Sequence, residues 1–191
     1  MQTATQLGSA EQTVNKSRFI ARAQACETER DVAMFLRQFA SQHPTAHHLA
    51  YAYRIKTPDG IVPRFSDAGE PSGTAGKPIL QILDGQNMIN VAVAVIRYYG
   101  GVNLGTGGLV KAYGGTAKLA LDSAGMVPYI EMQRIQITTT YKRVDELTRA
   151  VHKLNGQVLD KLFDTEVHFA IRLPAKDVQA ILQQFQTAYT T

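Results

Sequence analysis

The run Val91-Ala92-Val93-Ala94-Val95-Ile96-Arg97-Tyr98-Tyr99-Gly100-Gly101-Val102-Asn103-Leu104-Gly105-Thr106-Gly107-Gly108-Leu109-Val110-Lys111 decides how the chain folds. Val91 to Tyr99 is nearly all apolar and partly β-branched, which predicts a strand covered on both faces. Five of the nine residues from Gly100 to Gly108 are glycine, which predicts a loop. Leu109, Tyr113, Thr116, Ala117, Ala120 and Ala124 then mark one face of a helix that stops at Gly125. A helix start without Cβ atoms leaves backbone N–H groups open to an anion, and Lys111 in the first turns is placed to reach one. The glycine offsets match neither the P-loop nor the dinucleotide fingerprint. The same glycines would serve a tight turn and close helix–sheet packing equally well, and the sequence leaves both readings open.

Upstream, Lys16 to Arg22 alternates polar and apolar residues, with Phe19, Ala21 and Ala23 on one side, which predicts a strand. Thr28 reads as a helix N-cap, with Glu29 and Asp31 in the first turn, where the dipole favours acids. Val32, Phe35, Leu36 and Phe39 follow at helical spacing until His43-Pro44 ends the helix. Leu49 to Ile55 alternates again and predicts a second strand. Glycine and proline recur from Pro58 to Pro78, so this stretch is expected to be an ordered surface loop. A short helix follows from Lys77-Pro78 to Asp84-Gly85.

Downstream, Pro128 and a turn to polar residues put a boundary near 126–133. Strand Ile135–Thr140, a helix on Val144, Leu147, Val151 and Leu154, strand Val158–Phe163, strand Val167–Leu173 and a helix on Val178, Ile181, Leu182 and Phe185 follow. This βαββα order is a ferredoxin-like unit lacking its last strand, with room before Thr191 for a very short one.

Three stretches carry candidate chemistry. Between Asp84 and Asp122 there is no acid, yet Arg97, Lys111 and Lys118 lie there, a cationic footprint suited to phosphate; solvated lysines on a helix face are the plain alternative. In Phe65 to Lys77, Asp67 and Glu70 are spaced so that both could converge on a metal or a proton; acids in such loops otherwise cap amides or pair with a lysine such as Lys77. In His43-Pro44-Thr45-Ala46-His47-His48 the spacing of four suits a metal on a helix face, but Pro44 argues against that helix. Cys26 has no histidine or lysine partner nearby and reads as a small buried hydrophobe. No serine sits in a nucleophile-elbow motif.

The chain has 191 residues, 45% hydrophobic and 19% charged, with a net charge of +4. That is ordinary globular composition for one large domain or two small ones. The single cysteine cannot form an internal disulfide, and no apolar run approaches the roughly 18 residues of a membrane span, so the protein is expected to be cytosolic.

Four ordered segments resemble the signatures of the YigZ/IMPACT family. They are Lys16-Ser17-Arg18-Phe19, His43-Pro44 through His47-His48, Phe65-Ser66-Asp67 through Lys77-Pro78, and Val95 through Gly105. The resemblance covers essentially the whole chain. One departure is Ala68, where relatives commonly carry a second acid; the other is the clipped C-terminus. The resemblance implies an α+β protein of two domains. Residues 1–127 would form an Impact N-terminal-type domain, similar to the second domain of the small-subunit ribosomal protein that defines a left-handed βαβ superfamily. Residues 133–191 would form a ferredoxin-like domain similar to one in elongation factor G. Eukaryotic members act by binding the activator of a kinase that represses translation, using an additional N-terminal domain that this chain is too short to contain.

The expected function is that of a non-enzymatic, cytosolic regulator linked to translation or stress, binding RNA, the ribosome or a translation-associated protein. Lys77, Arg97 and Lys111 are the expected phosphate contacts, with Gly105, Thr106, Gly107 and Gly108 as the backbone cradle. Asp67, Glu70 and His47 form a secondary candidate site. No catalytic residue, metal, cofactor or membrane partner is expected. Phosphoryl transfer with Mg²⁺ on Asp67 or Glu70, and a metal-dependent hydrolase or peptidase, are the alternatives.

Overall fold

The strand predicted at the centre of the sequence is also central in space. The computed structural model describes residues 1–185. In it β6 (Val91–Tyr98) runs between β3 (Ser17–Ala25) and β4 (His48–Thr57), pairing antiparallel with each. Outside these lie β2 (Gly8–Val14) and β5 (Gly60–Ser66), giving the antiparallel order β2-β3-β6-β4-β5. Two short strands, β1 (Gln2–Ala4) and β7 (Met126–Pro128), pair with each other apart from this sheet.

Alternation along β6 sorts the two faces. Val91, Val93 and Val95 join α2 (Gly76–Gly85) and α3 (Gly105–Ser123) in one core with Phe19, Ile79, Leu83 and Tyr113. Ala92, Ala94 and Ile96 join α1 (Glu29–Ser41) in another, with Val32, Phe35 and Phe39. Every residue from Val91 to Arg97 is buried, as a strand covered on both sides must be. Because β6 separates them, β3 and β4 run parallel and are joined by α1, a βαβ crossover with a strand inserted. A capping box starts α1: the Thr28 hydroxyl accepts from the Asp31 amide, and the Asp31 carboxylate accepts from the Thr28 amide.

Two sequence expectations change. The stretch 58–78 is not all loop, because Gly60–Ser66 forms the edge strand β5 with Pro63 opposite Arg54. Proline is compatible with an edge strand when its missing N–H falls on the outer side. Residues before Lys16, which showed no element pattern, include β2, joined to β3 by a tight turn with Asn15 and Lys16 both at positive φ (45° and 66°).

Contacts divide the chain into a unit Met1–Tyr129 and a unit Ile130–Thr191. The second unit has β8 (Met132–Thr139), α4 (Val144–Lys153), β9 (Gln157–Phe163), β10 (Val167–Pro174) and α5 (Val178–Phe185). Its sheet order β8-β10-β9 is that of a ferredoxin-like βαββα unit, and Phe169, Ile171, Leu147, Val151 and Ile181 fill its core. The closing strand expected before Thr191 falls outside the described residues.

Candidate functional site

The four segments singled out in the sequence meet at one end of the five-stranded sheet. Register shows why: Arg18 lies opposite Tyr98, His48 opposite Arg97, and Ser66 opposite Tyr51. The starts of β3 and β4 and the ends of β5 and β6 therefore share that end, from which the chain enters α2 and α3.

At its centre is a buried polar network. Glu70 Oε1 accepts from Arg97 Nη1 at 2.7 Å and from the Tyr113 hydroxyl at 2.8 Å. Arg97 Nη2 donates to Ser17 Oγ at 3.2 Å, and the Gly100 amide donates to the same oxygen at 3.2 Å. Phe19 and Tyr99 flank the guanidinium, their ring centroids 5.6 and 5.2 Å away. Burial and the bond to Glu70 hold the Tyr113 hydroxyl far above the ordinary tyrosine range, so it remains a donor. Arg97 was expected to be a surface phosphate contact. It is 5% exposed and neutralises Glu70 instead.

The two acids do not converge. Asp67 turns to the start of α2, where its carboxylate accepts from the amides of Gly73, Ala75 and Gly76 at 2.8, 3.0 and 2.8 Å. Ala75 precedes that helix and supplies no side-chain cap, so Asp67 caps it from a distance. Burial raises its pKa, but the amides outweigh burial and hold the carboxyl below the usual range. The plain reading of this loop, an acid bonded to backbone, describes Asp67.

His47 does not join these acids; its Nδ1 accepts from the Tyr99 amide at 3.2 Å. His48 approaches them, with Nε2 3.9 Å from Glu70 Oε1 and Nδ1 2.9 Å from the Ala68 carbonyl. A carbonyl only accepts, so His48 Nδ1 carries the hydrogen. Ala68, which presents that carbonyl, sits at φ 50°, a region disfavoured for alanine. His43 Nδ1 lies 3.0 Å from the Tyr98 hydroxyl, and all three histidines line a cleft of about 240 Å³. Among the described residues no three His, Cys, Asp or Glu side chains are grouped to hold a metal.

The glycine run is a loop only as far as Leu104, since Gly105, Thr106, Gly107 and Gly108 form the first turn of α3. Gly101 and Gly105 need their freedom, at φ 81° and 69°. Gly100 packs so closely that a Cβ there would lie 2.1 Å from the Lys16 carbonyl. From Gly101 to Asn103 and from Gly105 to Gly107 the chain is exposed. Leu104 at the N-cap provides no side-chain hydrogen bond, unlike the capped start of α2. Lys16, Lys77 and Lys111 are exposed, and Lys111 lies a helical turn beyond Gly107–Gly108, over which helical side chains lean. The start of α3 is thus an exposed helix N-terminus without a side-chain cap, with Lys111 one turn further along it.

Sequence reasoning missed Ser17, His48 and Tyr113 as members of the network. Tyr113 was legible as core but not as a donor to Glu70. Cys26 is 1% exposed, with burial pushing its thiol up to about 12, in keeping with an inert core residue.

Comparison with known proteins follows the same segments. Residues 15–121 match the model of the Impact N-terminal domain. The chain is 34% identical over 171 residues to an IMPACT family member of Haemophilus influenzae, covering 89% of this chain and 83% of that protein. It is 33% identical over 166 residues to IMPACT family member YigZ of Escherichia coli, covering 86% and 81%. A crystal structure described as that of a hypothetical protein is similar at a TM-score of 0.72 and 30% identity, over 96% of this chain and 89% of that one.

Proposed function

The chain belongs to the IMPACT family, and from that premise we propose that it is a non-enzymatic cytosolic regulator of translation that docks on RNA, free or within the ribosome. The observation that carries this reading is the exposed start of α3, which no side chain caps, at the end of the sheet where the family's segments meet. An anionic backbone would approach the amides of Gly105, Thr106 and Gly107, while Gly108, whose amide bonds back within the helix, contributes only its lack of a side chain; Lys77, Lys111 and Lys16 would be the counter-charges. Tyr99, 41% exposed beside this turn, adds an aromatic face of the kind on which unpaired bases stack. Arg97 contributes by holding the turn through Ser17 rather than by touching phosphate.

A phosphoryl-transfer enzyme would need a carboxylate free for Mg²⁺. Asp67 and Glu70 are each engaged by protein donors, so the binding reading is the stronger. No helix among the described residues is long and apolar enough to cross a membrane.

The test is fluorescence anisotropy with a labelled single-stranded RNA across a salt series. Each phosphate contact contributes about −0.7 to the slope of log K against log salt for single strands. Lys111→Ala should weaken binding several-fold and flatten the slope by about that amount. Binding that ignores salt, or that is unchanged in a Lys77→Ala/Lys111→Ala double variant, refutes the proposal.

A further inference from the structure

A second cavity lies at the opposite end of the sheet from the α3 turn, on the α1 face. It measures about 470 Å³, within the range of small-molecule sites. Its walls are the first residues of α1 with those just before them, and the β4–β5 hairpin. Ile55 and Val62, directly opposite each other in the ladder, supply apolar surface with Pro58. Glu27 and Glu29 stand on the helix side, and Lys56 and Arg64 on the hairpin side.

Two of these charges lie near one tyrosine. The Tyr53 hydroxyl donates to Glu29 Oε1 at 2.7 Å, and Arg64 lies opposite Tyr53 in the β4–β5 ladder. Burial and Glu29 push the Tyr53 hydroxyl up to about 12, so it stays protonated and keeps the carboxylate oriented. Arg64 is exposed, with a hydrogen bond at 3.3 Å to the carbonyl of the adjacent Pro63. The Lys56 ammonium is held over the Tyr129 ring at 5.9 Å.

A purely cationic ligand would meet Arg64, and a purely anionic one would meet Glu29. A group carrying both charges on one carbon satisfies the pair together, while an apolar remainder covers Ile55, Val62 and Pro58. The geometry points to a free α-amino acid with an apolar side chain as the ligand of this cleft, its ammonium on Glu29 and its carboxylate on Arg64. This site is independent of the RNA surface and stands or falls separately from it.

The experiment is an amide NMR titration of the full chain with L-leucine, L-leucinamide and N-acetyl-L-leucine. L-Leucine should give saturable shifts confined to residues 27–29 and 53–64, with an affinity of about millimolar order. Each analogue lacks one charge and should bind at least about tenfold more weakly, because one protein charge is left without its partner. Arg64→Gln and Glu29→Gln should do the same, with the rest of the spectrum unchanged to show that the fold survives. Absence of saturable shifts up to about 50 mM L-leucine overturns the inference. So does leucinamide binding as tightly as leucine, which would assign the cleft to a cationic peptide segment.

Discussion

Arg97 neutralises a carboxylate inside the protein, and its removal should be felt there. With Arg97 gone, Glu70 would remain buried with Tyr113 as its one short-range side-chain donor among the described residues, since His48 stands 3.9 Å away. Stranding a buried charge typically costs about 3–5 kcal/mol. Arg97→Met should lower stability by that order in urea unfolding, and adding Glu70→Gln should restore much of the loss. Equal stability of the single and double variants would show that the pair is not coupled. The parity of β6 contained this outcome: Val91, Val93 and Val95 face the α2/α3 core, and Arg97 continues the same series. Reading the arginine as a surface cation weighed its charge and overlooked its place in the alternation. His47 and His48 could not be separated in the same way. Only the start of β4 determines which imidazole turns toward Glu70, and strand ends are the least legible part of a sequence.

At the scale of elements, Asp67 illustrates a helix stabilised from outside itself. A carboxyl whose pKa is lower in the folded chain adds stability above its unfolded value, and loses it as pH falls through the folded value. Asp67→Asn should therefore cost about 1–2 kcal/mol near pH 7. The difference between variant and parent should shrink as pH drops below about 4. Thermal melts across that range would show it, and a gap that stayed constant with pH would exclude the ionised cap. Elements with dense local signals were legible: the N-cap and apolar stripe of α1, the continuous apolar run of β6, and the spacing of α3. Two strands were not. The partly inward series of β2 consists of Gly8, Ala10, Gln12 and Val14, too small or polar to alternate visibly. Gly8 is required, because a Cβ there would lie 2.0 Å from the Ala120 carbonyl of α3. In β5 the residues are mostly exposed and Pro63 reads as a breaker, so the strand was missed even though Pro58-Asp59-Gly60 carries the turn that pairs it with β4. The start of α3 was read as loop because glycine opposes helix by intrinsic propensity, which tertiary packing overrode.

For the whole molecule, each unit fills its own core. The buried clusters of the first unit contain residues up to Ala124, whereas that of the second begins at Ile137. Truncating Phe169, 1% exposed in the second core, should cost about 3–5 kcal/mol. Hydrogen exchange of Phe169→Ala should lose protection across residues 132–174 and keep it in β3 and β6. Loss of protection in both units together would mean that they unfold as one. The βαββα order of the second unit was legible from local periodicity alone. In the first, joining β3 to β4 around β6 depends on contacts distant in sequence, and there the family resemblance supplied what periodicity did not.

The outer strand of the large sheet carries a consequence for the protein in concentrated solution. A chain trying to extend that sheet on this side would dock against β5, whose middle residue, Pro63, has no hydrogen to donate and is followed by the charged Arg64. The row of bonds needed for growth is interrupted halfway, with a guanidinium next to the gap. Strand addition along this border is thus interrupted at its midpoint, which leaves β2, at the far side of the sheet, as the edge with an unbroken row of backbone donors.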